Sequence, residues 1–145
     1  MTIYEKQLKS LLKPDNDPIS NYANFASFIY HEFDEISWAG FYFTNGKHLY
    51  LGPFQGRVAC EKIAFEDGVC GHAFTTQKPI IVPNVHEFEG HIACDSGSNS
   101  ELVIPLFKNN ELIGVFDLDS YQFDRFSEKD LVLFNKLVSI LIENI

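Results

Sequence analysis

Apolar residues recur every three to four positions at both ends of this chain and alternate with polar ones in between. Ile3, Tyr4, Leu8, Leu11 and Leu12 predict a helix over residues 2–12, stopped by Pro14. A turn, Pro14-Asp15-Asn16-Asp17-Pro18, leads to a second helical stripe of Tyr22, Phe25, Phe28, Ile29 and Phe33 over residues 20–33, with Ser20 as its expected N-cap. At Ser37 the period changes. Residues 38–43 read as a strand, Asn45-Gly46 as a two-residue hairpin turn, and residues 48–51 as the partner strand. Residues 63–65 and 79–82 read as short strands, with a short helix over 69–76 between them. Two more strands, 102–107 and 112–118, flank a turn at Asn109-Asn110. A last helix is capped by Ser127 with Asp130 three residues on, and carries the stripe Leu131, Phe134, Val138 and Leu141.

Residues 83–100 break both periods. Gly, Ser, Asn, Asp and Pro crowd this interval, and a loop of such length in a compact domain often acts as a lid or binding segment. The order helix, helix, hairpin, short elements, hairpin, helix does not alternate as βαβ units do. It predicts an α+β fold: an antiparallel sheet with the N- and C-terminal helices on one face and a ligand pocket on the other. Without a repeat or a linker, residues 1–145 are expected to form one domain.

Composition narrows the functions open to such a fold. A formal charge of −9 offers no basic stripe to nucleic acid or an anionic membrane. The first residues lack the long apolar core of a signal peptide, and no stretch approaches 18 uninterrupted apolar residues, so a cytoplasmic protein is expected. Three cysteines, an odd number, then point to reduced thiols and not to a structural disulfide framework. Fourteen phenylalanines imply an aromatic core or pocket.

Cys60, Cys70 and Cys94, together with Glu101, Asp117 and Asp119, are the candidate chemistry. A thiolate can attack an electrophilic sulfur, a second cysteine can resolve the product, and a carboxyl in a dry pocket can supply a proton. Cys70 lies in the first turn of a helix, where the partial positive charge favours a thiolate; Cys94 lies in the Gly/Ser-rich loop, free to swing between substrate and partner. These arguments leave the nucleophile open. Strand alternation puts Asp117 and Asp119 on one face with Val115, and Gly114, Phe116 and Leu118 on the other. Such a pair describes a solvated edge as well as a pocket floor. Glu101 joins that face only if the hairpin loop contains an odd number of residues; a two-residue turn at Asn109-Asn110 puts it on the other face unless a bulge intervenes. His72, His86 and His91 lack the C-x2-C partner of a zinc site and read as loop or surface residues, so no metal is expected.

Several segments together resemble a known family. They are Ser37-Trp38-Ala39-Gly40-Phe41-Tyr42, Leu51-Gly52-Pro53-Phe54-Gln55-Gly56 and Cys60; Gly68-Val69-Cys70-Gly71 and Val82-Pro83-Asn84-Val85; and His91-Ile92-Ala93-Cys94-Asp95, Ser100-Glu101-Leu102-Val103-Ile104-Pro105 and Asp117-Leu118-Asp119-Ser120. The match spans nearly the whole chain and is similar to the free methionine-(R)-sulfoxide reductases, which are GAF-domain enzymes. The three cysteines, with nine and then 23 residues between them, carry the specificity, because sensory GAF modules generally lack them.

The resemblance implies a cytoplasmic oxidoreductase that reduces free L-methionine-(R)-S-oxide without a bound cofactor and is recycled by thioredoxin. It implies Cys94 as nucleophile, Cys60 as resolving thiol in a Cys60–Cys94 disulfide, and Cys70 as an auxiliary cysteine near the pocket. It also implies substrate binding and proton transfer by Glu101, Asp117 and Asp119, with Trp38 and Tyr42 walling the methyl-sulfoxide end. The amides of residues 68–71, Val69 and Gly71 among them, are the candidate partners of the substrate carboxylate. A non-catalytic GAF module binding a small ligand is the alternative. The oligomeric state is not legible, and a homodimer is one open outcome.

Overall fold

The computed structural model describes residues 1–91 and 97–145. Among the described residues four α-helices and six strands follow one another as α1 (Ile3–Leu11), α2 (Pro18–Glu32), β1 (Trp38–Thr44), β2 (Leu49–Gly56), β3 (Lys62–Ile63), α3 (Gly68–Thr76), β4 (Ile80–Val82), β5 (Ser100–Lys108), β6 (Glu111–Ser120) and α4 (Glu128–Glu143). The strands form one antiparallel sheet in the order β3-β2-β1-β6-β5-β4. No helix among the described residues is long and apolar enough to cross a membrane.

α1, α2 and α4 cover one face of the sheet. Their buried stripes, including Leu8, Phe25, Ile29, Phe134, Leu137 and Leu141, close over Ala39, Phe41, Leu102, Ile104, Phe116 and Leu118. The ring of Phe25 meets that of Phe116 at 5.1 Å and Phe116 meets Phe41 at 5.0 Å, distances at which tilted aromatic pairs attract beyond their buried area. A second, smaller cluster on the opposite face gathers Trp38, Tyr42, Val69, Ala73, Val103 and Val115 beneath α3. The α+β arrangement expected from the sequence is the one observed, and the face away from the terminal helices is where the candidate site lies.

Local signals differ from the sequence reading at several boundaries. α2 starts at Pro18 behind Asp17, not at Ser20, because proline's fixed φ and missing N–H suit the first helical position. The β1–β2 connection takes four residues instead of the two of Asn45-Gly46. Thr44 pairs with Leu49, and the Asn45 carboxamide oxygen accepts from the amides of Lys47 and His48, so the side chain organises the wider loop. The stretch 83–100 is not all loop: residues 85–87 form a 3-10 turn, and β5 begins at Ser100. Ser127 and Asp130 do form the expected capping box on α4.

Candidate active site

The floor of the site is a cross-strand row. Glu101 of β5 pairs with Asp119 of β6, which pairs with Trp38 of β1; one row along, Val103 pairs with Asp117, which pairs with Gly40. Directly paired residues project to the same face, so the three acids share one side of the sheet. That register depends on one residue. From the hairpin turn, Lys108 pairs with Glu111 and Phe107 with Leu112, but Leu106 pairs with Gly114, which leaves Ile113 as a bulge. Without it, Glu101 would face Leu118 and point into the helical core. The turn itself is the expected two-residue Asn109-Asn110, both residues at positive φ (53° and 64°).

Aromatic residues of β1 extend the floor. Tyr42 lines the cavity, and its hydroxyl donates to the Cys60 carbonyl at 3.0 Å. Trp38 stacks behind Tyr42 at 5.9 Å and on Phe54 at 5.3 Å, and its indole N–H donates to the Arg57 carbonyl at 3.0 Å. The indole lies so close over Gly40 that a Cβ there would stand 2.8 Å from the ring.

The roof is the N-terminal turn of α3. Asp67 precedes it without capping it through its side chain, and the amides of Val69 and Cys70 have no hydrogen-bond partner among the described residues. Such amides carry the positive end of the helix and suit an anion. Gly68 N–H donates to the Gly90 carbonyl at 3.0 Å, which ties the approach to His91 against this turn. Between floor and roof is a cavity of about 40 Å³ lined by Tyr42, Val69, Cys70, Glu101, Asp117 and Asp119 among others.

Burial sets the protonation of this group. Glu101 is pushed well above the usual carboxyl range, first by desolvation and then by the neighbouring Asp117 and Asp119, to both of which it is hydrogen-bonded. It therefore holds a proton that a solvated glutamate would have lost. The Cys70 thiol is also pushed well up, chiefly by burial and then by Asp117, Glu101 and Asp119; its S–H donates toward Glu101 Oε2 at 3.9 Å. The helix-start argument for a Cys70 thiolate is thus overruled by three carboxyls in a dry pocket. Ser98 Oγ, itself buried, donates to Asp119 Oδ1 at 3.5 Å.

Of the sequence candidates, Glu101, Asp117, Asp119, Cys70, Val69 and Tyr42 meet at the cavity. Trp38, on the same face of the sheet as Asp119, stacks on Tyr42 and does not itself line this cavity. Gly71 packs against the Phe65 carbonyl, where a Cβ would stand at 2.6 Å, and does not line the cavity either. Cys60 is partly buried beside the same cluster and is disulfide-bonded, whereas Cys70 is free. Cys94 lies outside the described residues. Ile63, Asp67 and Ser98 line the cavity and were not singled out by the sequence; His91, read there as a loop or surface residue, lines it too, and its nearness to Cys94 was the available signal. Among the described residues, Cys70 Sγ and carboxylate oxygens of Glu101 and Asp117 lie within 4.8 Å of one another, the spacing of a cation site. Thiol and Glu101 both hold protons here, so this set would have to shed them before ligating a metal.

An antiparallel sheet with terminal helices behind it and a small-molecule cavity under a short helix defines the class of protein. The profile of the GAF domain matches residues 24–141. The chain is 40% identical over 136 residues to the free methionine-R-sulfoxide reductase of Escherichia coli, covering 94% of this chain and 82% of that one. It is 40% identical over 131 residues to the free methionine-R-sulfoxide reductase of Saccharomyces cerevisiae, covering 85% and 73%. The X-ray structure of the Neisseria meningitidis free methionine-R-sulfoxide reductase in complex with its substrate superposes with a TM-score of 0.91 at 38% identity, covering 97% of this chain and 85% of that one. The chain belongs to the GAF-domain family of free methionine-R-sulfoxide reductases and is an oxidoreductase.

Proposed function

We propose that this protein reduces free L-methionine-(R)-S-oxide to L-methionine in the cytoplasm, with Cys94 as nucleophile, Cys60 as resolving thiol and thioredoxin as electron donor. The observation that carries the reading is a buried Glu101 beside Asp119 and Asp117 of the neighbouring strand at the floor of a small cavity, where desolvation and those carboxyls raise its pKa. A sulfoxide oxygen leaves poorly until it is protonated, and Glu101 is the group equipped to protonate it. Asp117 and Asp119 supply the negative charge that a substrate ammonium requires. The names of the relatives, and the Neisseria structure with its substrate, support the same substrate.

In this scheme the Cys94 thiolate attacks the sulfoxide sulfur while Glu101 protonates the oxygen. In the resulting adduct the protonated oxygen passes from the substrate sulfur to Cys94 Sγ as the bond between the two sulfurs breaks. Methionine departs as the thioether, reduced by the thiolate's two electrons, and Cys94 is left as a sulfenic acid. The Cys60 thiol displaces its hydroxyl as water, forming the Cys60–Cys94 disulfide, which a thioredoxin dithiol reduces by exchange. The disulfide-bonded state of Cys60 supports this assignment. Cys70, neutral and walled in by acids, is unsuited to attack.

Methionine release from the free (R)-sulfoxide, with thioredoxin as donor, tests the scheme. Wild-type protein should turn over repeatedly and Cys94→Ser should release none, since serine is far less nucleophilic near neutral pH. Cys60→Ser should release about one equivalent and then recycle poorly, for want of a disulfide. A dead Cys70→Ser beside an active Cys94→Ser would overturn the assignment. A protein that binds methionine and forms no internal disulfide on oxidation would be a ligand-binding GAF module instead.

A further inference from the structure

The acids of the floor account for the ammonium end of an amino acid; one further polar side chain of the cavity lining has no task yet. His91 lines the cavity together with Asp67, Gly68 and Val69, at the helix-start end of the site. Its place there is built by a chain of backbone bonds. Phe88 N–H donates to the Val85 carbonyl and His91 N–H to the Phe88 carbonyl, each at 3.2 Å, and Gly90, at φ +82°, returns its carbonyl to the Gly68 amide. Phe88 is braced edge-on by His72 of α3, with ring centroids 5.6 Å apart. Among the described residues the His91 side chain has no hydrogen-bond partner, and neither do the adjoining Val69 and Cys70 amides. A half-buried ring beside two helix-start amides that have no partner among the described residues suits a carboxylate.

We propose that His91 is a specificity-determining residue, donating a hydrogen bond to the substrate's carboxylate beside the Val69 and Cys70 amides. This rests on the reading of the substrate as a free amino acid, with its ammonium toward Asp117 and Asp119. Desolvation, and then His86, hold the His91 imidazolium below its ordinary range, so the ring acts at neutral pH as a neutral N–H donor. It therefore adds direction to the charge of the helix end without pairing with the acids across the cavity.

Calorimetric binding of L-methionine and of L-methioninamide separates this from a general role in folding. Both carry the ammonium, and only the first carries the carboxylate. His91→Ala should weaken L-methionine about tenfold, the scale of one hydrogen bond to a charged group, and leave methioninamide unchanged. His91→Gln, which keeps a donor, should recover part of the loss. Equal weakening of both ligands, or no weakening of L-methionine, would overturn the proposal. A wild-type protein that binds L-methionine but turns over no sulfoxide would sink the proposed reaction while leaving the His91 result readable.

Discussion

β6 presents two opposite solutions to the same problem on its two faces. Phe116 and Leu118 point toward the terminal helices, and Asp117 and Asp119, each one residue away, point into the cavity; all four are buried. On the helical side, burial is offset by dispersion and the release of water from apolar surface, and each ring adds to the stability of the whole domain. On the cavity side, burial forces Glu101 to keep its proton and to share hydrogen bonds with Asp117 and Asp119. The comparison teaches that one sheet can be a stability element and a chemical element at once, provided the two demands are separated by the strand's two-residue period.

Three experiments sharpen or break this contrast. The largest effect is expected for Glu101→Gln, which keeps shape and removes the exchangeable proton. General acid catalysis is typically worth about 10²–10⁴-fold, so turnover should fall by that order while the domain stays folded at neutral pH. A loss well under tenfold would remove Glu101 from the reaction. Next in size is Phe116→Ala on the other face. It should cost about 3–5 kcal/mol of unfolding free energy, read from the denaturant midpoint, because the tight ring cluster with Phe25 and Phe41 cannot collapse fully into the cavity. An unaltered midpoint would contradict the division of labour. The smallest effect is a pH slope. Glu101 ionises in the unfolded chain at about pH 4–5, as glutamates do, but holds its proton well above that range in the fold. Below that range both states are protonated and the contribution is complete. As pH rises through it the unfolded chain sheds a proton that the native state retains, so stability falls until the raised native pKa is passed. Unfolding curves of wild type and Glu101→Gln should therefore converge at low pH and separate above it, with the amide variant the more stable. A parallel pair of curves would show that Glu101 titrates normally.

How much of this was legible in the sequence depends on the range of the interactions concerned. The helices announced themselves because each needs only its own stripe, and the capping box at Ser127 because its partner Asp130 is three residues away. Asp117 and Asp119 could be placed on one face by counting along one strand. Glu101 could not, since its face depends on pairing with a second strand and hence on whether Ile113 is counted in the ladder. Cys70 was legible as a helix-start residue, but its thiol is governed by carboxyls 31, 47 and 49 positions away that only the fold assembles. His91 and Ser98 escaped for a similar reason: a polar residue in a Gly/Ser-rich stretch looks solvated until the chain is seen folding it back over the cavity. Trp38 was legible only as a conspicuous ring, and its stacking on Tyr42 and Phe54 depends on strands the fold assembles.

The unpaired Ile113 has a consequence for how such proteins change over generations. It lies six residues from Asp119, about 20 Å along the strand, near the distal tip of the hairpin where insertions and deletions are best tolerated. Removing one codon there would leave every acid and every cysteine in the gene while turning the phase of β5 against β6 and sending Glu101 into the helical layer. Counting functional letters would then report an intact enzyme in a lineage that had lost it, and restoring a single residue far from the chemistry would bring it back.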